Sequence, residues 1–329
     1  MKEIKCIALS ILVIIIVGLG AKLFIQSEKP SKVLRVERVL SDSKEYKIKS
    51  PILPAKLDFC GEGVPLDTFY VREQLDREII INTYWHSSTL FLFKRANRWL
   101  PVIEPILLKY GIPNDLKYIA LIESNLKNVV SPSGARGFWQ LMRRTAIDQG
   151  LEITKEVDQR YDVELSTEAA CKYLKSAYRQ LGSWTLVAAA YNMGVVGLNN
   201  RLTEQKANCY YDLLLNEETS RYIYRLLAMK VIFANPSEYG FELTKSDLYP
   251  PLKYRNIEVN NSVANWADFA QEHGVSYRLL KLYNPWLRTR NFRNVYKRSY
   301  NIKLPDSEMI KHSSMHLKTD DKSLVLEDK

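Results

Sequence analysis

Glu123 occupies a position at which a carboxyl group could act as a catalytic acid. Asn114 is expected to cap a helix that starts at Asp115, and Glu123 continues the apolar face of that helix, which consists of Leu116, Ile119 and Ala120. Burial at the end of such a helix disfavours the charged form of a carboxyl group and raises its pKa. An acid that stays protonated near neutral pH suits the cleavage of glycosides. The same pattern also fits a glutamate that pairs with a basic residue or caps a neighbouring turn.

The segment that follows Glu123 has the composition of a ligand-binding turn. Residues 131–140 read SPSGARGFWQ and combine two glycines, an aromatic pair and an amide, as a sugar-binding cleft requires. The alternative is a tight turn followed by a helix in which Phe138 and Trp139 are core residues.

A mechanism with one carboxylate is favoured by what the neighbouring sequence lacks. Retaining and inverting glycosidases generally use two carboxyl groups that flank the bond. Residues 124–147 contain no Asp or Glu. Asp158 and Asp162 could still fold towards Glu123, so two carboxylates remain an alternative.

The elements that must position these residues are predicted to be helices. Apolar residues recur every three to four positions over 167–181, with Ser166 as the cap, and over 217–233, with Asn216 as the cap. No comparable alternating runs lie between them, so residues 51–252 are expected to form an all-α body.

A small mixed unit is predicted after the body. Residues 254–259 and 300–304 can form strands, and two short helices are expected between them, over 263–273 and 277–283. A βααβ unit over residues 253–305 is too small for a catalytic domain and suits a binding module.

The first 25 residues predict the compartment. Residues 6–21 are an unbroken apolar run that continues past Lys22, giving about 20 residues, the length that spans a bilayer. Lys2 and Lys5 precede this run, and positive flanks stay on the cytoplasmic side, which predicts export of the rest of the chain. Residues 1–25 are therefore expected to be a transmembrane anchor or a cleaved signal sequence.

The remaining segments are predicted from their polarity. Residues 26–50 show no periodicity and fit a polar linker, and residues 306–329 fit a disordered tail. Export would bring Cys60, Cys171 and Cys209 into a compartment where disulfides form. Their odd number and spacing match no metal site, so they are interpreted as small buried hydrophobes, with a Cys171–Cys209 bridge as the alternative.

Several ordered motifs resemble those of the family 1 lytic transglycosylases. They are Glu123-Ser124, residues 131–140, Ala190-Tyr191-Asn192, and Glu218-Thr219 with Tyr222. The resemblance implies a lysozyme-like α-helical fold, the SLT domain, and cleavage of the β-1,4 bond between MurNAc and GlcNAc in peptidoglycan. The family's scheme ends in 1,6-anhydro-MurNAc and needs no metal or cofactor.

The resemblance also implies roles for individual residues. Glu123 would be the sole acid and base. The substrate-binding residues would be Ser131, Gln140, Met142, Tyr191, Asn192, Glu218 and Tyr222. Ser131 would contact the muramyl group and Glu218 would face the peptide side. Arg143 and Met193 depart from the residues common at their positions, which puts only fine subsite preference in doubt.

The C-terminal unit resembles a LysM domain, which grips the GlcNAc backbone of peptidoglycan. The matching residues are 265–270 and 280–286, and the alternative is a cap that only packs on the body. The chain has a formal charge of +10, of which residues 253–305 supply ten basic against three acidic residues. This excess predicts an anionic wall polymer as the partner, held by Arg288, Arg290, Arg293, Lys297 and Arg298.

The sequence thus predicts an envelope enzyme that works on peptidoglycan. We expect a lytic transglycosylase on the periplasmic face of the inner membrane, anchored by residues 4–25. The alternatives are a hydrolytic muramidase and a catalytically inactive peptidoglycan-binding scaffold. The export segment argues against nucleic acid as a partner, and other cell-wall enzymes stay open as partners.

Overall fold

A computed structural model describes residues 48–306 of the chain. These residues form a mostly helical body followed by a small β/α module. Within this described part, no helix combines the length and apolarity needed to cross a membrane. The predicted anchor over residues 1–25 lies outside the described residues, as do most of the linker and all but the first residue of the tail predicted over 306–329.

Nine helices form the described body. They are α1 Phe69–Tyr84, α2 His86–Lys109, α3 Lys117–Ser124, α4 Arg143–Asp148, α5 Val163–Leu181, α6 Trp184–Met193, α7 Val195–Gln205, α8 Glu217–Ser220 and α9 Tyr222–Ala234. Short 3₁₀ turns lie at Asn114–Leu116, Gln159–Tyr161, Tyr210–Asp212, Pro236–Tyr239 and Lys245–Asp247. A two-residue hairpin, β1 Asp58–Phe59 paired with β2 Glu62–Gly63, precedes them, so the body is helical but not purely α.

The helix that carries Glu123 lies in the core of the body. Helix α3 packs against α2 and α9, and α9 also packs against α1 and α6. Ile119 and Leu121 of α3 are fully buried. The alanines of α6, residues 188–190, are buried as well, and their small side chains allow close helix packing. Helix α3, called here the acid helix because it carries the acidic residue Glu123, is therefore held on two sides by longer helices.

The helix starts differ from their predictions. The helix of Glu123 begins at Lys117 after a 3₁₀ turn, without a side-chain cap from Asn114. Helix α5 begins earlier than predicted, because the Asp162 carboxylate accepts hydrogen bonds from the N–H groups of Glu164 and Leu165 at 2.9 and 3.0 Å. The prediction of Ser166 as the cap was wrong.

The long helix predicted after Asn216 is two helices. The Asn216 side chain does accept a bond from the Thr219 N–H at 2.9 Å, but α8 stops after one turn. The Tyr210 hydroxyl lies 3.0 and 2.9 Å from the carbonyl oxygens of Thr219 and Ser220. Since these carbonyls are bonded by a side chain, the break between α8 and α9 is stabilised from outside the helix.

The three cysteines within residues 48–306 are unbridged. Cys171 is buried in α5, whereas Cys60 and Cys209 are half-buried. The alternative of a Cys171–Cys209 disulfide was therefore wrong. Burial raises the pKa of the Cys171 thiol to about 12, so this residue behaves as a small buried hydrophobe.

The module has the predicted βααβ order. Strand β3 Tyr254–Val259 pairs antiparallel with β4 Tyr300–Pro305, and α10 Trp266–Glu272 and α11 Tyr277–Tyr283 lie between them. Helix α10 starts later than predicted, because Val263 pairs with Phe292 and Asn265 caps the helix.

Part of the basic surface predicted for the module faces the body. Arg298 pairs with Glu152 at 3.0 Å, and the Arg288 guanidinium lies 4.2 Å from the centre of the Tyr161 ring. Both side chains nevertheless stay exposed, so their contact with a wall polymer stays a prediction.

Glu62 of the hairpin holds the N-terminus of α6. Its carboxylate accepts bonds from the N–H groups of Trp184 and Thr185 at 2.6 and 3.0 Å and from the hydroxyls of Ser183 and Thr185 at 2.8 and 2.6 Å. Burial alone would raise the pKa of Glu62, but these hydrogen bonds outweigh burial and lower it. The hairpin thereby fixes α6, whose last turn carries Tyr191 and Asn192.

Glu62→Gln is expected to lower the free energy of unfolding by about 2 kcal/mol, because hydrogen bonds to a charged group each contribute about 1.5–3 kcal/mol. A carboxylate with a lowered pKa stabilises the fold above its unfolded pKa, and the stabilisation is lost as the pH falls through the folded pKa. Urea unfolding of wild type and variant should therefore differ at pH 7 and converge near pH 3. Glu204→Gln, on the exposed face of α7, is the control and should change stability by less than about 0.5 kcal/mol. An equal difference at both pH values would contradict this account.

Candidate active site

The C-terminal end of α3 fixes the position of Glu123. The helix ends at Asn125, whose φ of 50° is left-handed and stops the helical path. The terminal carbonyl groups are bonded by arginines: Arg225 donates to Ile122 at 3.1 Å and Arg95 donates to Asn125 at 2.6 Å. The last turn of the helix, which carries Glu123, is thus fully supported.

Tyr222 contacts the carboxyl group of Glu123 directly. The Tyr222 hydroxyl donates to Oε1 of Glu123 at 2.7 Å. Burial raises the pKa of Glu123, and the Tyr222 hydrogen bond and the positive charge of Arg225 offset only part of this rise. Across residues 48–306, no second carboxylate contributes to the shift. The carboxyl group of Glu123 therefore stays protonated to a higher pH than an ordinary glutamate.

Two tyrosines beside the acid remain hydroxyl donors. Burial, reinforced by the nearby Glu123 charge, raises the pKa values of Tyr191 and Tyr222 well above their ordinary value. Tyr191 donates to the carbonyl oxygen of Trp139 at 2.6 Å. This bond ties α6 to the segment that follows the acid helix.

Residues 131–141 form a tight loop, called here the glycine loop. Gly137 adopts a φ of 81°, and Gln140 donates to the carbonyls of Val129 and Gly137 at 3.1 and 2.7 Å. The Ser124 hydroxyl, next to Glu123, donates to the Phe138 carbonyl at 2.8 Å. The loop is therefore attached to the end of the acid helix.

The aromatic pair of the glycine loop belongs to the core. Phe138 and Trp139 are 2% and 0% exposed, and the Trp139 ring N–H donates to Thr167 at 2.8 Å. The alternative interpretation of these two residues as core is therefore correct. They lie in the loop, however, because the next helix, α4, begins only at Arg143.

The remaining predicted binding residues make no direct bond to Glu123 among the contacts of residues 48–306. The Ser131 hydroxyl accepts from the Ala135 N–H at 3.0 Å. Met142 and Asn192 are exposed at the start of α4 and the end of α6. Glu218 is exposed on α8 and lines a cavity of about 650 Å³, together with Ile122 and Arg225.

Comparison with known proteins identifies two domains in the chain. Residues 102–213 match the family described as "Transglycosylase SLT domain". Residues 102–213 are thus similar to an SLT domain. Residues 255–308 match the "Soluble lytic transglycosylase C-terminal LysM-like domain". Both resemblances drawn from the motifs are confirmed.

Curated proteins that are similar to this chain come from Escherichia coli. Two proteins named "Membrane-bound lytic murein transglycosylase D", from strains K12 and O6:H1, are each 29% identical over 228 residues, which is 68% of this chain and 49% of theirs. The chain thus spans about half the length of the curated relatives it matches. Among solved structures, the 70 kDa soluble lytic transglycosylase of Escherichia coli is 21% identical, with a TM-score of 0.37, over 46% of this chain and 27% of that chain.

Arg225 is a residue beside Glu123 that the sequence analysis missed. Its guanidinium supports the end of α3 and lowers the pKa of Glu123. It lies three positions after Tyr222 on α9, and residues at this spacing share one helix face. The spacing from Tyr222 was the available signal.

Asp158 and Asp162 are not second acids of the site. Asp158 is 2% exposed and pairs with Arg160 at 2.8 Å. Asp162 caps α5 with one oxygen and pairs with Lys303 through the other at 3.1 Å. Both carboxylates are neutralised by these partners, so the alternative that they serve beside Glu123 was wrong.

Proposed function

We propose that this chain is a peptidoglycan lytic transglycosylase that cleaves the β-1,4 bond between MurNAc and GlcNAc. The observation that carries the proposal is the single half-buried carboxyl group of Glu123, with a raised pKa and a hydrogen bond from Tyr222. A raised pKa supplies the protonated acid that departure of the sugar oxygen needs. The SLT match supports the same reaction.

The reaction uses the two protonation states of Glu123 in turn. Protonated Glu123 gives its proton to the glycosidic oxygen, and the bond from that oxygen to C1 of MurNAc breaks with its electron pair leaving on GlcNAc. The carboxylate then takes the proton of the MurNAc 6-hydroxyl, whose oxygen bonds to C1. Glu123 ends protonated and no water is consumed. The Tyr222 hydroxyl and the Arg225 charge would stabilise the carboxylate formed between the two steps.

Glycan binding is assigned to residues around this acid. We propose that Gln140, Met142, Tyr191 and Asn192 line the glycan cleft and that Ser131 contacts the muramyl group. Glu218, on the rim of the cavity beside Ile122, is proposed to face the peptide side. Tyr222 acts on the acid itself in this proposal, because its hydroxyl bonds the carboxyl group.

The other segments are proposed to hold the enzyme in the cell envelope. Residues 1–25 would anchor the chain in the inner membrane, followed by the linker over 26–50, with the SLT domain on the periplasmic side. The LysM-like module, residues 253–305, would bind glycan. The name of the relatives, which mentions both membrane and murein, supports this assignment.

Product analysis tests the proposed function against its alternatives. Isolated sacculi are digested with the full chain, and the soluble products are examined by mass spectrometry. Products with 1,6-anhydro-MurNAc ends are expected, 18 Da lighter than the hydrolysis products because no water is added. Reducing MurNAc ends would instead indicate a muramidase, and binding to sacculi without release would indicate an inactive scaffold.

Tyr222→Phe is expected to shift the pH dependence of the reaction. The hydroxyl stabilises the charged form of Glu123, so its removal raises the pKa of Glu123 further. The alkaline limb of the kcat/KM profile, which reports the acid in the free enzyme, should move to higher pH, while kcat falls about tenfold as the carboxylate loses its donor. Tyr239→Phe is the control, because it also removes the hydrogen bond of a buried tyrosine, to Ile52 at 2.8 Å. A limb that moves to lower pH in Tyr222→Phe would refute the assigned bond.

A further inference from the structure

The LysM-like module is joined to the body by backbone pairing. Residues 152–164, called here the docking segment, connect the glycine loop and α4 to α5. Within it, the Asp158 N–H donates to the Trp286 carbonyl at 2.9 Å, and the Arg288 N–H donates to the Glu156 carbonyl at 2.7 Å. Val157 and Leu287 form the antiparallel bridge between these bonds. The docking segment is therefore joined to the module by an isolated antiparallel β-bridge.

Apolar burial reinforces this pairing. Val157 and Tyr161 of the docking segment belong to the same buried cluster as Trp286, Leu287 and Tyr300 of the module. Val157 and Leu287 are 1% and 2% exposed. A module on a flexible tether would not share its core with the body, so this contact fixes the module in place.

Charge complementarity covers the rim of the contact. Glu152 accepts bonds from the Tyr300 hydroxyl at 2.9 Å and pairs with Arg298. Glu156 accepts from the Arg293 N–H at 2.9 Å. Two acidic side chains of the body thus contact the module without bonding the glycine loop.

Asp158 and Arg160 connect the docking segment to the glycine loop. The Asp158 carboxylate accepts two bonds from the Arg160 guanidinium, at 2.9 and 2.8 Å, and one from Arg136 of the loop at 3.3 Å. Arg160 also donates to the carbonyls of Gly134 and Leu141 at 3.2 and 3.1 Å. Asp158 and Arg160 are only 2% and 3% exposed, so this pair is buried and oriented.

We infer that Asp158 is a positioning residue through which the docked module holds the glycine loop against the end of the acid helix. The module bonds the backbone of Asp158, the side chain of Asp158 orients Arg160, and Arg160 bonds the loop at both ends. The loop in turn is bonded by Ser124, next to Glu123, and by Tyr191. The module is thus part of the catalytic unit as well as a wall anchor. This inference rests on the proposed function.

Variants at the rim of the contact test the inference in the full chain. Glu152→Gln combined with Glu156→Gln weakens the docking and leaves every bond of the loop in place. The substrate is a soluble GlcNAc-MurNAc tetrasaccharide with its peptides, because a soluble fragment needs no anchoring to the wall. We expect kcat to fall about fivefold with KM changed less than twofold. Asp268→Asn combined with Glu272→Gln, on the exposed side of α10, removes the same charge and should leave both constants unchanged.

Hydrogen exchange supplies a readout that is independent of catalysis. In the Glu152/Glu156 variant, the amides of residues 134–141 should exchange at least tenfold faster than in wild type, while those of α9 stay unchanged. Asp158→Asn should give the larger loss, about 30-fold in kcat. Arg160→Lys should also lower kcat, since a single ammonium cannot replace the planar fork of the guanidinium.

The possible results separate this inference from the proposed function. A wild-type chain that leaves the fragment uncleaved refutes the proposed function. The hydrogen-exchange data would still decide whether the docked module holds the glycine loop in place. Normal kcat and normal loop exchange in the Glu152/Glu156 variant, with only sacculus binding reduced, would show that the module is an anchor alone. Should Asp158→Asn fail to fold, the rim variant decides the question.

Discussion

Glu123→Gln is expected to lower the rate of peptidoglycan cleavage by at least about 1,000-fold. A positioned general acid or base contributes about 10²–10⁴ in rate, and Glu123 serves as both in the proposed cycle. Glutamine keeps the shape of the side chain and can still accept the Tyr222 hydrogen bond, but it can neither give nor take the proton. Binding to sacculi should persist, because the glycan contacts are left in place.

Release of soluble muropeptides, followed over time, measures this loss. Glu204→Gln on α7 is the control and should release product at the wild-type rate. The Glu123→Gln variant should be no less stable than wild type at pH 8. Since the folded pKa of Glu123 is raised, its contribution to stability is present below the unfolded pKa and is lost as the pH rises through the folded pKa. A Glu123→Gln variant that clears sacculi at the wild-type rate would overturn the assignment of the acid.

The burial of Glu123 was predictable because it depends on a local pattern. The face that Glu123 shares with Ile119 is set by the geometry of one helix, and the burial of that face followed from its apolar residues. The raised pKa is a direct consequence of that burial. The βααβ order of the module was predictable for the same reason, since each element has its own local period.

The caps and charges were less predictable because they depend on distant partners. Ser166 and Asp162 both suit a helix start, and the structure uses Asp162, whose second oxygen binds Lys303 of the module. That ion pair joins residues 141 positions apart, so no local pattern contains it. The same holds for the ion pair between Arg298 of the module and Glu152 of the body, which no local pattern contains.

The glycine loop has one feature that the local sequence predicts and one that depends on a distant part of the chain. Two glycines followed by an aromatic pair indicated a tight turn, and the turn is present. The reason that Gly137 must be glycine lies elsewhere in the chain, because a side chain there would meet the docking segment. A sequence shows that a glycine is present, whereas the neighbour that requires it becomes visible only in the fold.

Gly137→Ala is expected to destabilise the chain by about 4 kcal/mol or more, a loss found only for severe structural conflicts. A Cβ at this position would lie 1.9 Å from the carbonyl oxygen of Arg160. That oxygen cannot move aside easily, because the Arg160 side chain is bonded to Asp158, Gly134 and Leu141. Either the loop or the docking segment must shift.

Gly134→Ala supplies a matched control within the same loop. Gly134 and Gly137 have nearly equal φ angles, 85° and 81°, so both alanines carry the same left-handed strain of about 1–2 kcal/mol. A Cβ at Gly134 meets nothing within 4 Å. Urea unfolding of the two full-length variants therefore isolates the steric clash at Gly137 from the backbone strain that both share. Equal losses in the free energy of unfolding would mean that the loop shifts to make room for the added Cβ. A larger loss at Gly137 would measure how firmly the docking segment holds the loop, which is the same rigidity that the proposed coupling to the module requires.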